Sequence, residues 1–300
     1  MKKTRSLLYS QKAAPYFFIA PFVIVFLVFF LYPIISTVIM SFQEVKMGKG
    51  QTTFIGLDNY RRMWNSDFFT AVKNSVIYTI ITCAVLIPVP MVLAVLLNSK
   101  KMPGKSFFRG VFFLPALVSV VVGGLTFRLI FGERPSALMN SVLSVFHIGP
   151  IKWLGGPAAW TTFFALLILC CWRWMGVNIM YYVSALQSIS EELFVSADID
   201  GASPLQKFWY ITAPLLKPTT IYVLTISIYG GLAMFLESYM LFGGNRSPGG
   251  QGLTIVCYLY RLGLEQAQLG FGSAVGLVLL AITLAINLTQ LTLTGFFRKE

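Results

Sequence analysis

Apolar residues in this chain gather into six long runs separated by short polar stretches. A helix needs about 20 mostly apolar residues in succession to cross a bilayer. Tyr16–Met40, Phe69–Leu97, Gly110–Phe131, Ala158–Ala185, Thr219–Phe242 and Phe271–Thr294 all reach that length. The pattern predicts an all-α integral membrane protein with six transmembrane helices, residues 1–300 forming a single transmembrane domain. Pro115 and Gly123-Gly124 interrupt the third run, and Gly230-Gly231 lie in the fifth. Neighbouring helices can satisfy the backbone groups such residues free, and glycine pairs let helices pack closely. Both runs are therefore expected to remain spans.

The stretch 187–218 departs from this pattern. It lies between the fourth and fifth runs and carries Glu191, Glu192, Asp198 and Asp200. Its punctuation predicts two short helices, Glu191–Ile199 and Pro204–Ala213. Ser190 caps the first, with Glu191 and Glu192 in the first turn, where acidic groups are favoured. Gly201 stands where a helix stop requires a left-handed residue. Ser203 caps the second, with Pro204 at its first position and Gln206 completing a capping box. Pro214 ends it, and Pro218 begins the next element. A polar, well-capped helix pair between spans reads as a docking element.

Composition agrees with a membrane protein: 56% of residues are hydrophobic and 11% charged. A soluble domain averages about 25% charged. The net charge of +12 has no soluble basic domain to carry it, so nucleic-acid binding is excluded. The charge fits basic residues retained on the cytoplasmic side. The basic N-terminus (Lys2, Lys3, Arg5, Lys12) is followed by a run too long for a signal peptide, which is expected to stay as the first span. With the N-terminus inside, 12 basic residues fall in inner segments and 8 in outer ones. The short loop Asn98–Arg109, with Lys100, Lys101, Lys105 and Arg109 and no acid, decides the orientation. Lys207, Lys217, Arg298 and Lys299 are the remaining inner charges, and the outer ones are Lys46, Lys49, Arg61, Arg62, Arg134, Lys152, Arg246 and Arg261. Both termini and the 187–218 stretch are then cytoplasmic.

Candidate chemistry is sparse. Cys83, Cys170, Cys171 and Cys257 lie in apolar runs without a CxxC, and His147 is the only histidine. Neither a disulfide framework nor a metal site is indicated. Pro103-Gly104-Lys105-Ser106 imitates the end of a phosphate loop, but position 99 is serine where that loop needs glycine, and a span precedes it. No cofactor and no catalytic group is expected. Polar residues inside the spans remain, and these usually face water or a partner. Trp172-Arg173-Trp174 sits in the fourth span, where Trp174, Asn178 and Tyr181 share a face at i, i+4 and i+7. Rings that stack on sugar faces and an amide that pairs with hydroxyls would suit a carbohydrate path; packing of the bundle would use the same residues. Tyr229, Glu237 and Tyr239 on the fifth run complete the candidate path, and Arg128 is expected to snorkel.

The capped stretch, read as Ala197-Asp-Ile-Asp-Gly-Ala202 followed by Phe208, Ile211, Pro214 and Pro218, resembles the EAA loop of ABC-importer permeases. Phe54-Ile-Gly-Leu-Asp-Asn-Tyr60, Phe107-Phe-Arg109, Leu114-Pro115 and Ala185-Leu-Gln-Ser-Ile189 extend the likeness over almost the whole chain. The likeness is to the carbohydrate subgroup, related to maltose and glycerol-phosphate permeases. Lys12-Ala-Ala-Pro15, Trp172-Arg-Trp-Met-Gly176, Val223-Leu-Thr-Ile-Ser227 and Glu237-Ser-Tyr239 resemble its arabino-oligosaccharide branch. One departure stands out: Val195 and Ser196 occupy the places of the motif's glutamate and first alanine. An anchoring role for that glutamate does not carry over; Glu191 and Glu192 are the carboxylates near enough to replace its charge.

The resemblance implies a type I ABC-importer permease fold in a bacterial plasma membrane. It implies an extracytoplasmic sugar-binding protein, a second homologous permease and a cytoplasmic ABC ATPase dimer as partners. Glu191, Glu192, Ser196, Ala197, Asp200, Gly201, Ala202, Phe208 and Pro214 would meet one ATPase. Two other classes compete. An ion-coupled secondary transporter would want acidic or histidine relays within the spans, and a non-transporting assembly subunit would leave the helix pair without a purpose.

Overall fold

The computed structural model of the chain describes residues 14–45, 52–99, 102–156, 159–244 and 247–296. Of the charges counted for orientation, Lys2, Lys3, Arg5, Lys12, Lys46, Lys49, Lys100, Lys101, Arg246, Arg298 and Lys299 lie outside the described residues, as do the first two residues of Lys12-Ala-Ala-Pro15. The chain divides into two compact units: one up to Trp64 with Leu259–Val278, the other Asn65–Tyr258 with the residues from Leu279 on.

In the first unit, helix α1 (Ala14–Ser41) contains a π-turn at Leu27–Leu31. Strands β1 (Gln43–Val45) and β2 (Thr52–Phe54) pair antiparallel with Gln43 opposite Phe54, and α2 (Asp58–Met63) follows. The phrase around 54–60 folds on Asn59. Its Nδ2 donates to the Ser41 carbonyl at 2.9 Å and the Gln43 carbonyl at 3.0 Å, while the Tyr60 hydroxyl donates to Ser41 Oγ at 2.8 Å.

The second unit begins with α3 (Ser66–Leu86) and α4 (Pro88–Asn98), which together form one 33-residue apolar stretch. Next come α5 (Lys105–Leu117), α6 (Val120–Ile130) and α7 (Leu138–Val145). The 28-residue α8 (Ala159–Leu186) is the central post, packed along α4 and α5. Then come α9 (Glu191–Ile199), α10 (Pro204–Leu215), α11 (Lys217–Leu232) and α12 (Leu236–Phe242). After α13 (Ile255–Tyr260), the last helix, α14 (Leu269–Leu293), crosses from the first unit into the second.

Two predicted spans are not continuous helices. The third is α5 and α6, bent by 99°. The break is not at Pro115, which stays inside α5, but at Val118 and Ser119, both extended with ψ of 136°. The fifth span stops at Leu232 and restarts at Leu236, with Ala233 and Phe235 outside helical geometry. Among the described residues four helices can cross a membrane alone, and two bent pairs pass the same test jointly. The fifth-run helix α11 is itself paired with α10 across a 67° bend.

Small residues set the closest helix contacts. A Cβ at Gly176 would collide with the Phe112 carbonyl on α5, one at Gly231 with Thr79 on α3, and one at Gly124 with Met240 on α12. Both glycines of the first predicted pair thus pack against a neighbouring helix, Gly123 against Trp172 on α8, whereas in the second pair only Gly231 does: a Cβ at Gly230 would meet nothing within 4 Å.

Candidate functional site

Two features stand out in the second unit: a cavity walled by α3, α8, α11 and α12, and the α9–α10 helix pair beneath α11.

The cavity encloses about 500 Å³, within the roughly 300–1,000 Å³ range of small-ligand sites. Trp174, Asn178 and Tyr181 line one wall, as the shared helical face requires, and Tyr229 and Glu237 line the facing one. Three other candidates point elsewhere. Trp172 packs on Phe127, ring centroids 5.2 Å apart, and against Gly123. Arg173 Nη1 donates to the Val118 carbonyl at 2.7 Å, tying α8 to the α5–α6 bend, and its guanidinium lies over the Trp174 ring at 5.6 Å. Tyr239 packs on Phe235 with centroids 5.2 Å apart. These three belong to packing rather than to the cavity wall.

Asn178 does both. It is buried, and its Nδ2 donates to the Leu86 carbonyl at 2.9 Å. Leu86 would normally receive the N–H of residue 90, which is proline and has none. One N–H of the amide therefore satisfies the carbonyl that Pro90 orphans, and its second N–H and its oxygen remain for a ligand.

Tyr78, Thr82, Tyr222, Ile226, Ser227 and Met234 also line the cavity, and sequence reading passed them over. A signal was present: Tyr222, Ile226 and Tyr229 repeat the i, i+4, i+7 spacing of Trp174, Asn178 and Tyr181. The break after Leu232 is what brings Glu237 to the cavity. The Met234 carbonyl freed there accepts from Thr254 Oγ1 at 2.7 Å, so the unwound turn is satisfied by α13's approach instead of by helix.

Tyr181 and Tyr222 meet edge-to-face with centroids 5.2 Å apart. Both also line a second, more open groove of about 530 Å³ beside Ser184, Ser188 and Pro218. Tyr181 and Tyr222 are the two lining residues that cavity and groove share.

The helix pair folds as its caps dictate. Ser190 Oγ accepts the Glu192 N–H at 3.3 Å. At the end of α9, Gly201 has φ of 74°, Gly201 N–H donates to the Asp198 carbonyl at 3.1 Å, and Ala202 N–H to the Ala197 carbonyl at 2.9 Å. That is the Schellman stop. It gives the Ala197–Ala202 phrase a structural reading: buried Ala197 supplies the carbonyl, Asp200 caps the helix C-terminus and Gly201 makes the left-handed turn. The Ser203–Gln206 box has both bonds, 3.3 and 2.7 Å. Lys207 pairs with Asp198, tying α10 to α9. Pro214 does not end α10, which runs to Leu215; fully buried Leu216 forms the bend into α11. Glu191, Glu192, Ser196 and Asp200 are exposed, Phe208 is half-buried against Trp209, and Leu193, Val195, Ile199, Leu205, Trp209 and Tyr210 expose apolar surface. Val195, in the place of the motif's glutamate, is 51% exposed. Both helices of the pair thus leave apolar side chains exposed.

The pattern of the binding-protein-dependent transport system inner membrane component matches residues 72–298. The chain belongs to this family. This permease is 50% identical over 296 residues to the arabinooligosaccharides transport system permease protein of Bacillus subtilis (strain 168), covering 99% of this chain and 93% of that one. It is 47% identical over 290 residues to the protein of the same name from Halalkalibacterium halodurans, covering 97% and 90%. Its fold matches a chain of a bacterial alginate ABC transporter solved in complex with an alginate pentasaccharide-bound periplasmic protein, with a TM-score of 0.81 at 24% identity and 95% of each chain covered. It is a multi-pass membrane transport component, not an enzyme, and neither an ion-coupled carrier nor an inert assembly subunit fits that family.

Proposed function

We propose that this permease is one of two homologous membrane subunits of an ATP-driven importer of oligosaccharides, with arabino-oligosaccharides as the substrate its relatives' names suggest. The observation that carries the reading is the continuity from helix pair to cavity: α10 bends through Leu216 into α11, and α11 carries Tyr222 and Tyr229 into the cavity wall. In this reading residues 1–300 are one transmembrane domain with six crossings, the third made by α5 and α6 and the fifth by α11 and α12, with α10 outside the bilayer. The protein sits in a bacterial plasma membrane with both termini and the 187–218 stretch in the cytoplasm. A sugar-binding protein delivers substrate from outside, a second permease completes the path, and an ATPase dimer hydrolyses ATP.

The apolar patch and the capped ends around Glu191, Glu192, Ser196, Ala197, Asp200, Gly201, Ala202, Phe208 and Pro214 dock on one ATPase. Caps at both helices and the Lys207–Asp198 pair make α9 and α10 stiff enough to transmit movement. ATP-driven closure swings α10, α11 pivots at Leu216, and Tyr222 leaves Tyr181, which α8 holds in place. The cavity then joins the groove. Sugars stack on Trp174, Tyr181 and Tyr229 and pair with the Asn178 oxygen. A population shift of this kind needs only that the two states bind nucleotide-loaded ATPase differently.

The test is reconstitution of this chain with its candidate partners in lipid vesicles. Sugar-loaded binding protein is expected to stimulate ATP hydrolysis and to drive sugar uptake. Hydrolysis indifferent to the loaded binding protein would count against the proposal.

A further inference from the structure

The cavity has one charged wall residue, Glu237, and no lysine, arginine or histidine. It stands in the first turn of α12, just past the break in the fifth span. No ion pair joins it to another of the described residues. A carboxylate at membrane depth is costly and usually serves the pathway. Five of the other lining residues are aromatic: Tyr78, Trp174, Tyr181, Tyr222 and Tyr229. Stacking on a ring face depends little on whether a sugar carries a hydroxymethyl or a carboxylate at its rim. One N–H of Asn178 is committed to Leu86, and no lining residue is cationic, so the cavity lacks a positive group to hold an anion.

We propose that Glu237 makes this cavity a charge filter: it accepts hydroxyls of neutral oligosaccharides and turns away uronates and sugar phosphates of equal length. The inference rests on the oligosaccharide reading above and deepens it by fixing the charge class of the substrate. Two like charges about 6 Å apart at an effective dielectric near 20 repel enough to cost roughly a hundredfold in affinity.

The experiment uses the assembled importer without nucleotide, in nanodiscs. Equilibrium binding of an arabinotriose is compared with that of a triuronate of the same length. The native complex is expected to prefer the neutral sugar by more than about tenfold. Glu237→Gln, which keeps an acceptor but loses the charge, should shrink that ratio to within about threefold, while Glu237→Asp keeps it. An unchanged ratio in Glu237→Gln, or no preference in the native complex, overturns the filter while leaving the sugar reading intact. If the native complex binds neither sugar, both the reading and the filter fall.

Discussion

The side-chain amide of Asn178 donates to the backbone carbonyl of Leu86 at 2.9 Å, replacing the helical donor that Pro90 removes. A polar residue in a span, read from sequence as a substrate contact, thus also repairs a neighbouring helix. Asn178→Ala should lower stability by about 1 kcal/mol, typical of interhelical hydrogen bonds in membranes. In a Pro90→Ala background the Leu86 carbonyl regains its own N–H, so the same substitution should cost clearly less. Thermal unfolding of the four purified proteins in detergent measures the difference; equal losses in both backgrounds would separate Asn178 from the proline.

Adjacent glycines should behave differently. A Cβ at Gly231 meets Thr79, while one at Gly230 meets open space at the cavity. Gly231→Ala is expected to destabilise by about 1–3 kcal/mol through overpacking. Gly230→Ala should leave the melting curve in place and alter only sugar uptake. Unfolding curves and uptake assays on the two variants check the contrast.

Ser203→Ala removes one bond of the capping box and should cost about 1 kcal/mol locally. Because α10 continues into α11, the loss should appear as weaker ATPase stimulation before any drop in overall melting temperature. Hydrogen exchange over 203–215, compared with the hydrolysis assay, reads both effects.

The helix pair and the broken fifth span show what sequence can and cannot convey. Caps act within four residues, so Ser190, Gly201, Ser203 and Gln206 announce α9 and α10 locally, and α9 has the predicted bounds. The break after Leu232 depends on Thr254 reaching Met234 from 20 residues away, and no local pattern announces it. Trp172 and Trp174 are indistinguishable by composition; only the packing of α6 and α12 around α8 decides which one the cavity receives. Tyr222 was hidden for the same reason: a ring in an apolar run looks lipid-facing until the opposite helix is placed.

In the proposed cycle the Tyr181–Tyr222 pair separates cavity from groove, which gives a fourth expectation. Tyr222→Ala should join cavity to groove permanently, so vesicles holding the assembled importer leak sugar during ATP turnover. Tyr222→Phe, which keeps the ring, should not. Leak measured with radiolabelled oligosaccharide distinguishes a partition from a wall residue; equal tightness in Tyr222→Ala would remove Tyr222 from that role.

The helix pair is the point at which an ATP cycle is proposed to enter, and Gly201 tests it most directly. Its φ of 74° strains any side chain with a Cβ, by about 1–2 kcal/mol, while the space around it is open. A substituent there alters the stop and the docking face without disturbing the core. In the reconstituted importer, Gly201→Asp should insert and assemble normally yet lose both sugar uptake and hydrolysis stimulated by loaded binding protein. Uptake at the native rate by an assembled Gly201→Asp complex would contradict coupling through this helix pair.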